Sequence, residues 1–360
     1  MKAARFYGAD QPLKIEDIPQ PHPGPGEVLL AVKAAGLCGT DLHIAIEGTI
    51  PTAFQPITLG HEAAGVVAAV GDYSAVQLRN NLAELRNNLE WKVGDRAAAF
   101  PNIACGECYA CASGREALCL NSRILGVQAD GAFAEYLLVP ARTLVRLPES
   151  IPFEVGAILT DAVSTAYHAV ACRGSVQPGE AVVVVGCGGV GHHAVLWAKQ
   201  RGAAPIIAVD VSAGALRRAQ EVGADHVINP AEADVSKAVR ALTDGAGADC
   251  ALEFVGRAET VMTAMKCLKR GGRVVVVGVG PERVTLPPLQ AFVGNELSLI
   301  ASLGFHRADL EKIIGLVAAG EVDVSGSVSE SVPLEGINEA LRRLAERKGD
   351  AVRVVVRTAG

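Results

Sequence analysis

The sequence has no cluster of basic residues and no apolar run of the ~20 residues that a membrane-spanning helix needs. Its formal charge is −6 and its pI is near 5.8. These features argue against nucleic acid and an anionic membrane as partners. The opening residues, MKAARFYGAD, lack the apolar stretch of a secretory signal. A soluble, cytoplasmic protein is expected. An even set of cysteines is missing too: there are nine, and four of them crowd between 105 and 119. In a reducing compartment that pattern points to metal binding before disulfides.

Glycine and aliphatic residues are plentiful. Thirty-nine glycines mark many tight backbone positions, and half of the 360 residues are hydrophobic. Cores rarely grow as one unit beyond roughly 250–300 residues, so two domains are expected. From about residue 28 to 150, stretches such as EVLLAVKAAG and GAFAEYLLVP are broken by Gly and Pro, which reads as a β region with many turns. From about 181 the pattern changes. The apolar AVVVVG leads into a glycine loop and the helical VGHHAVLWAKQRGA. After these, PIIAVD, HVIN, DCALEF, GRVVVVG and LSLIA alternate with helical segments. Strands apolar on both faces and alternating with helices predict an α/β unit, a doubly wound parallel sheet of six strands. The tail, with helices near 307–319 and 334–347 and a last strand AVRVVVRT, returns to the first style. The α/β unit is therefore expected to be inserted into a discontinuous β-rich domain.

GCGGVG at 186–191 fits the G-x-G-x-x-G pattern, follows a predicted strand and opens a helix. An acidic residue, Asp210, ends the next strand. In that context the hexamer reads as a dinucleotide site. Gly186 allows the tight turn, Gly188 lets a pyrophosphate approach the backbone, and Gly191 lets helix and strand pack closely. Gly189 and Val190 complete the loop, and the free N–H groups of the helix N-terminus face the phosphate. Asp210 can accept hydrogen bonds from both ribose hydroxyls, and its charge repels a 2′-phosphate. NAD rather than NADP is expected.

CGECYACASGREALC places Cys105, Cys108, Cys111 and Cys119 close enough to surround one tetrahedral zinc ion with no open position, a structural site. An iron–sulfur cluster is the alternative. Three dispersed segments, CGTDLH at 38–43, GHE at 60–62 and LTDAVSTAYH at 159–168, are each unremarkable alone, and composition does not connect them.

In this order, CGTDLH, GHE, the four-cysteine lobe, D-x-x-ST-x-Y and GCGGVG with Asp210 resemble the zinc-dependent medium-chain alcohol dehydrogenase family across essentially the whole chain. The resemblance implies a Rossmann domain at 164–302, inserted into a GroES-like catalytic domain of residues 1–163 and 303–360 with its structural zinc lobe at 101–122. It implies that Cys38, His61 and Asp161 hold a catalytic zinc whose fourth position takes water or substrate. Many relatives have Cys at the position of Asp161, and Cys172, within a predicted helix, is the poorer candidate. Glu62 is placed behind the metal, and Asp41 is placed to orient His61 by a hydrogen bond. Thr40 is implied to take the proton of the alcohol and pass it through the ribose to His43. Thr165, Phe254 and Val279 are implied cofactor contacts. The expected activity is reversible NAD-dependent oxidation of primary or secondary, aliphatic or cyclic alcohols, because DAVSTAYH resembles the simple-alcohol branches. A polyol or amino-alcohol dehydrogenase is the same-fold alternative, and a catalytically silent, zinc-stabilised binding protein is the alternative of another class. The expected partners are a small alcohol or carbonyl substrate and further copies of the chain in a dimer or tetramer.

One segment fits none of this. QLRNNLAELRNNLE at 77–90 repeats a seven-residue unit, with Leu78, Leu82, Leu85 and Leu89 at coiled-coil spacing. Removing it leaves a loop of ordinary family length. A capping box at Ser74 and Gln77 predicts a helix over 75–90, and its leucines call for a partner surface, so the segment is assigned to packing or assembly and not to chemistry.

Overall fold

A computed structural model describes residues 1–9, 11–72, 90–346 and 353–359. The heptad repeat up to Leu89 and its capping box lie outside the described residues. Two compact units divide the chain, one of Met1–Asp161 with His306–Gly360 and one of Ala162–Phe305.

The first unit is organised around the strand Glu27–Gly36, buried along nearly its whole length. It pairs antiparallel with Glu62–Val70, Tyr136–Pro140 and the distant Arg353–Arg357. Arg96–Ala99, Leu144–Arg146 and Val328–Pro333 complete a seven-stranded sheet. The last strand thus enters the middle of the sheet beside residues over three hundred positions earlier, which is why the domain is discontinuous. Small side chains face each other where the strands approach closely, as in the pairs Ala63 with Ala99 and Ala64 with Ala98. At Gly65 a Cβ would run into the Ala31 carbonyl.

The second unit is a six-stranded parallel sheet. Across it run His226–Ile228, Ile206–Val209, Val182–Val185, Ala248–Glu253, Leu268–Val276 and Ser298–Ala301. Numbered along the chain the order is 3-2-1-4-5-6, whose strand order reverses beside Val182–Val185, the point where such sheets bind nucleotides. The four valines of that strand are fully or almost fully buried, as a strand covered on both faces requires. Ser212 and Asp234 cap the following helices by accepting from the backbone N–H groups of Ala215 and Lys237. Trp197 is fully buried, donates through Nε1 to the Val163 carbonyl at 3.0 Å and meets Tyr167 edge to face. Truncating it to Ala is expected to cost about 3–5 kcal/mol.

One helical run would pass for a membrane span by length and average hydropathy, although it is not an unbroken apolar run. Phe153–Arg173, 21 residues, is long and apolar enough to cross a membrane by length and composition, yet its apolar window is 83% buried inside the protein. It includes Glu154, Asp161 and Arg173, which interrupt the apolar letters without lowering the average enough.

Candidate active site and metal centres

Three separate turns of the first unit converge on one point. Cys38 is the N-cap of the short helix Gly39–Ala45. His61 precedes the strand Glu62–Val70, after Gly60 at φ +93, where a Cβ would press into the Phe133 ring at 2.8–3.0 Å. Asp161 lies in a π-helical turn, Leu159–Val163, the kind of irregularity that often re-aims a functional side chain. The three side chains meet: Cys38 Sγ is 3.2 Å from Asp161 Oδ2, and His61 Nε2 is 3.6 Å from the same oxygen. Zinc bonds of about 2.0–2.3 Å in a tetrahedron put neighbouring ligand atoms roughly 3.3–3.8 Å apart. The spacing fits a zinc ion; the Glu62 carboxyl lies within 4.8 Å of the same ligand atoms but is held by Arg353, and the thiol, imidazole and Asp161 carboxylate by themselves leave a fourth position. Cys172, exposed on its helix, is not part of this group.

The charges around the group are buried and interdependent. Burial lifts the Cys38 thiol above its usual range, and the charge of Asp161 adds to that. Burial opposes ionisation of Asp161 too, but the hydrogen bond and charge of His61 hold its carboxyl well below the usual range. Glu62 is fully buried, and that burial pushes it up to about 8 against the pull of Arg353. Arg353 Nη2 donates to Glu62 Oε1 at 2.8 Å, and Nη1 donates to the Leu37 carbonyl at 3.1 Å. Sequence reasoning missed Arg353, since a lone arginine in VRVVVR carries no motif. Gly36 is paired with Glu62 across the strands, and a Cβ there would collide with the carboxyl group.

Asp41 departs from expectation. Its Oδ1 approaches His61 Nδ1 only to 3.9 Å, too long for a hydrogen bond. The reason is local: Oδ2 accepts the Cys38 N–H at 2.9 Å and so fixes the carboxyl to its own helix end. Thr40 Oγ1 lies 3.9 Å from Cys38 Sγ, beside the group. His43 is on the same helix, exposed, with Nδ1 2.7 Å from Glu47 Oε2.

The four-cysteine lobe is closed. Sulfur separations are 3.9 Å for Cys105–Cys111, 3.6 Å for Cys108–Cys111 and 3.5 Å for Cys119–Cys105. Four sulfurs about 2.3 Å from a central zinc stand roughly 3.8 Å apart, so these thiols also fit the ion. Backbone N–H groups of Cys105 and Gly106 point at the sulfurs of Cys119 and Cys111. A hydrogen bond from the Cys111 backbone draws the Cys108 thiol down to about 6, whereas burial pushes Cys111 up to about 12. Arg142 ties the lobe to the unit through the Ala104 carbonyl.

In the second unit the glycine loop forms a cradle. Gly186 has φ +85, and a Cβ on Gly191 would fall on the Gly186 carbonyl oxygen. A Cβ on Gly188 would meet nothing within 4 Å, the open space that a pyrophosphate needs. Gly189 and Val190 lead into the helix Gly191–Gln200. Asp210 Oδ2 accepts the Cys187 N–H and Oδ1 the Ser212 N–H, each at 2.8 Å. Each oxygen keeps a second lone pair for a ribose hydroxyl. Val211 beside it is 61% exposed. Phe254 lies against Gly186 and Gly191 and the Val279 backbone against Gly256, while Thr165 is buried on the helix Ser164–Tyr167. His192 was not anticipated: Nδ1 is 2.9 Å from the Gly188 carbonyl.

Comparison with known proteins decides the family. Residues 24–149 match the alcohol dehydrogenase GroES-like domain, and residues 189–319 match the zinc-binding dehydrogenase domain. The chain belongs to the zinc-dependent medium-chain alcohol dehydrogenase family. As a member it is an oxidoreductase, with zinc and NAD as its cofactors. The dehydrogenase is 34% identical to a sorbitol dehydrogenase of Bacillus subtilis, over 99% of this chain and 97% of that protein. It is 35% identical to an alcohol dehydrogenase of Geobacillus stearothermophilus, over 96% of each chain. The solved alcohol dehydrogenase TADH from Thermus sp. ATN1 superposes with a TM-score of 0.89 at 30% identity, covering 99% of this chain and 100% of that one.

Proposed function

We propose that this dehydrogenase oxidises primary or secondary, aliphatic or cyclic alcohols reversibly to aldehydes or ketones. The observation that carries the reading is the convergence of Cys38, His61 and Asp161 at zinc-ligand spacing, with the Glu62 carboxyl grouped beside them. Zinc held there would supply Lewis acidity to the alcohol oxygen, and NAD would accept the hydride. The side chains do the rest. Cys38, His61 and Asp161 bind the ion, and buried Glu62, paired with Arg353, balances charge behind them. The Thr40 hydroxyl accepts the alcohol proton, and His43, exposed to water, releases it by way of the ribose hydroxyls. Gly186, Gly188, Gly189, Val190 and Gly191 cradle the pyrophosphate, Asp210 holds the adenosine ribose, and Thr165, Phe254 and Val279 line the remainder. Cys105, Cys108, Cys111 and Cys119 hold the structural zinc.

The likeness to a sorbitol dehydrogenase favours a second reading, oxidation of a polyol. Formation of NADH absorbance with a panel of aliphatic, cyclic, polyol and amino alcohols separates the two. A polyol turned over with higher kcat/KM than every simple alcohol would replace the first reading with the second.

A homo-oligomer is part of the proposal. Leu289 and Val293 are 71% and 67% exposed, near the edge strand Ser298–Ala301, and an apolar open edge favours pairing with another copy. A cytoplasmic location is part of the proposal, since four of the nine cysteines crowd between 105 and 119 in a metal-binding pattern suited to a reducing compartment.

A further inference from the structure

The strand Ala248–Glu253 ends on a carboxyl group that no motif singled out. Glu253 is fully buried. Its Oε1 accepts three hydrogen bonds, from the Val255 N–H at 2.8 Å, the Gly256 N–H at 2.9 Å and the Thr260 hydroxyl at 2.7 Å. Its main-chain carbonyl accepts two more, from the N–H groups of Val277 at 2.8 Å and Gly278 at 3.0 Å. One residue thus joins two loops, 254–256 and 277–280, which leave the ends of adjacent parallel strands. Oε2 accepts nothing from the described residues.

These loops have no slack. Gly256 has φ +79, and a Cβ there would lie 2.6–2.7 Å from the Val279 backbone. Methyl groups on Gly278 or Gly280 would collide with the Gly256 backbone. The same loop abuts the glycine fingerprint: a Cβ on Gly186 would be 2.6 Å from Val255 Cγ2, and one on Gly191 3.4 Å from the Phe254 ring. A shift of the 254–256 loop by a few tenths of an ångström must therefore move either the fingerprint or the 277–280 loop.

Burying a carboxylate is unfavourable unless donors compensate it, and a turn can be made without one. Here three donors converge on one oxygen, and hydrogen bonds to an ionised acceptor are stronger and shorter than neutral ones. The consequence is stiffness where tolerance is smallest. We propose that Glu253 is a positioning residue of the dinucleotide site. Its carboxylate fixes the 254–256 loop and its carbonyl fixes the 277–280 loop, at the separation from the glycine fingerprint that NAD requires. Glu253 acts through Phe254 and Val279 without touching the cofactor. This rests on the dinucleotide reading under Proposed function.

The test is equilibrium NADH binding by fluorescence for the parent, Glu253→Gln, Glu253→Leu and Thr260→Val, with a thermal melt and zinc content for each. Gln keeps the Oε1 acceptor and is expected to hold Kd within about threefold. Leu leaves two part-buried N–H groups unpaired and is expected to raise Kd by about tenfold or more, with alcohol KM at saturating NAD and zinc content unchanged. Thr260→Val removes one donor while leaving the acceptor, and an increase of about threefold is expected. A residue with a merely structural role would lower the melting temperature and leave the affinity of the folded fraction at the parental value. A folded Leu variant with parental Kd overturns the proposal, as does a Gln variant as weak as Leu. If Leu does not fold, parental Kd in Thr260→Val overturns it instead. A parent that binds no NADH overturns the dinucleotide reading itself, whereas parental binding with an indifferent Leu variant overturns the role of Glu253 alone.

Discussion

Replacing Arg353 with Leu tests how the catalytic cluster is held. Arg353 and Glu62 have side-chain exposures of 3% and 0% and meet at 2.8 Å. Removing the guanidinium leaves Glu62 buried with Oε1 unpaired, in addition to Oε2, which accepts no hydrogen bond from the described residues. It also strips the Leu37 carbonyl of a donor one residue before Cys38. Below its pKa of about 8 the Glu62 carboxyl takes up a proton, and the cost of breaking the buried pair is smaller. Above that pH Glu62 is ionised, and breaking the pair in this way costs about 3–5 kcal/mol, because an uncompensated charge stays behind. For a domain of 150–250 residues, where 1 kcal/mol shifts Tm by roughly 2–4 °C, that is a loss of about 6–20 °C. The double variant Arg353→Leu with Glu62→Gln removes both charges. It is expected to recover much of the loss, because the large term is the stranded carboxylate and not the missing attraction. Calorimetric melts of parent, both single variants and the double variant complete the cycle. An Arg353→Leu variant within about 1 kcal/mol of the parent, or a double variant as unstable as the sum of its singles, refutes the reasoning.

Two zinc ions per chain are expected by elemental analysis; mild chelation should remove the one at Cys38, His61 and Asp161 with loss of turnover, and removal of the other should unfold the 105–119 lobe. One zinc or none in active protein would refute this. Thr40→Ala is expected to lower kcat by about 10²-fold or more with NAD affinity unchanged, and His43→Ala by less; parental turnover in Thr40→Ala removes the relay. Asp210→Gly with Val211→Arg should shift preference toward NADP, since acceptor and negative charge go together; a parent that already uses NADP as well as NAD contradicts the role of Asp210. Deleting Gln77 to Glu90 joins strands that are already antiparallel neighbours, Glu62–Val70 and Arg96–Ala99. Zinc content and alcohol oxidation should stay within a few-fold while oligomer size or stability changes by light scattering, and lost turnover with unchanged assembly would place the segment in the chemistry.

What could be read from the residues alone was whatever has its partners nearby in the chain. GCGGVG is strand, turn and helix start within a few residues, so its geometry follows from glycine's freedom at φ > 0 and from the apolar strand before it. The cysteine lobe is similar, since four thiols within fifteen positions can reach one ion whatever surrounds them. The alternation of apolar strands with helices announced a parallel sheet of six strands, but its order came only with the folded structure. Cys38, His61 and Asp161 were joined in the sequence only by resemblance, and nothing local says that a helix N-cap, a strand end and a π-helical turn face one another. The tertiary structure also decided that Asp41 does not bond His61: Oδ2 is held by the Cys38 N–H three residues back, and the His61 ring stops 3.9 Å from Oδ1. Arg353 and Glu62 are 291 positions apart. Glu253 is a single acid at a strand end, like many others until its five donors are counted. Such residues leave no signature in the chain, because a buried charge is defined by the low-dielectric surroundings and converging donors that only the folded backbone assembles.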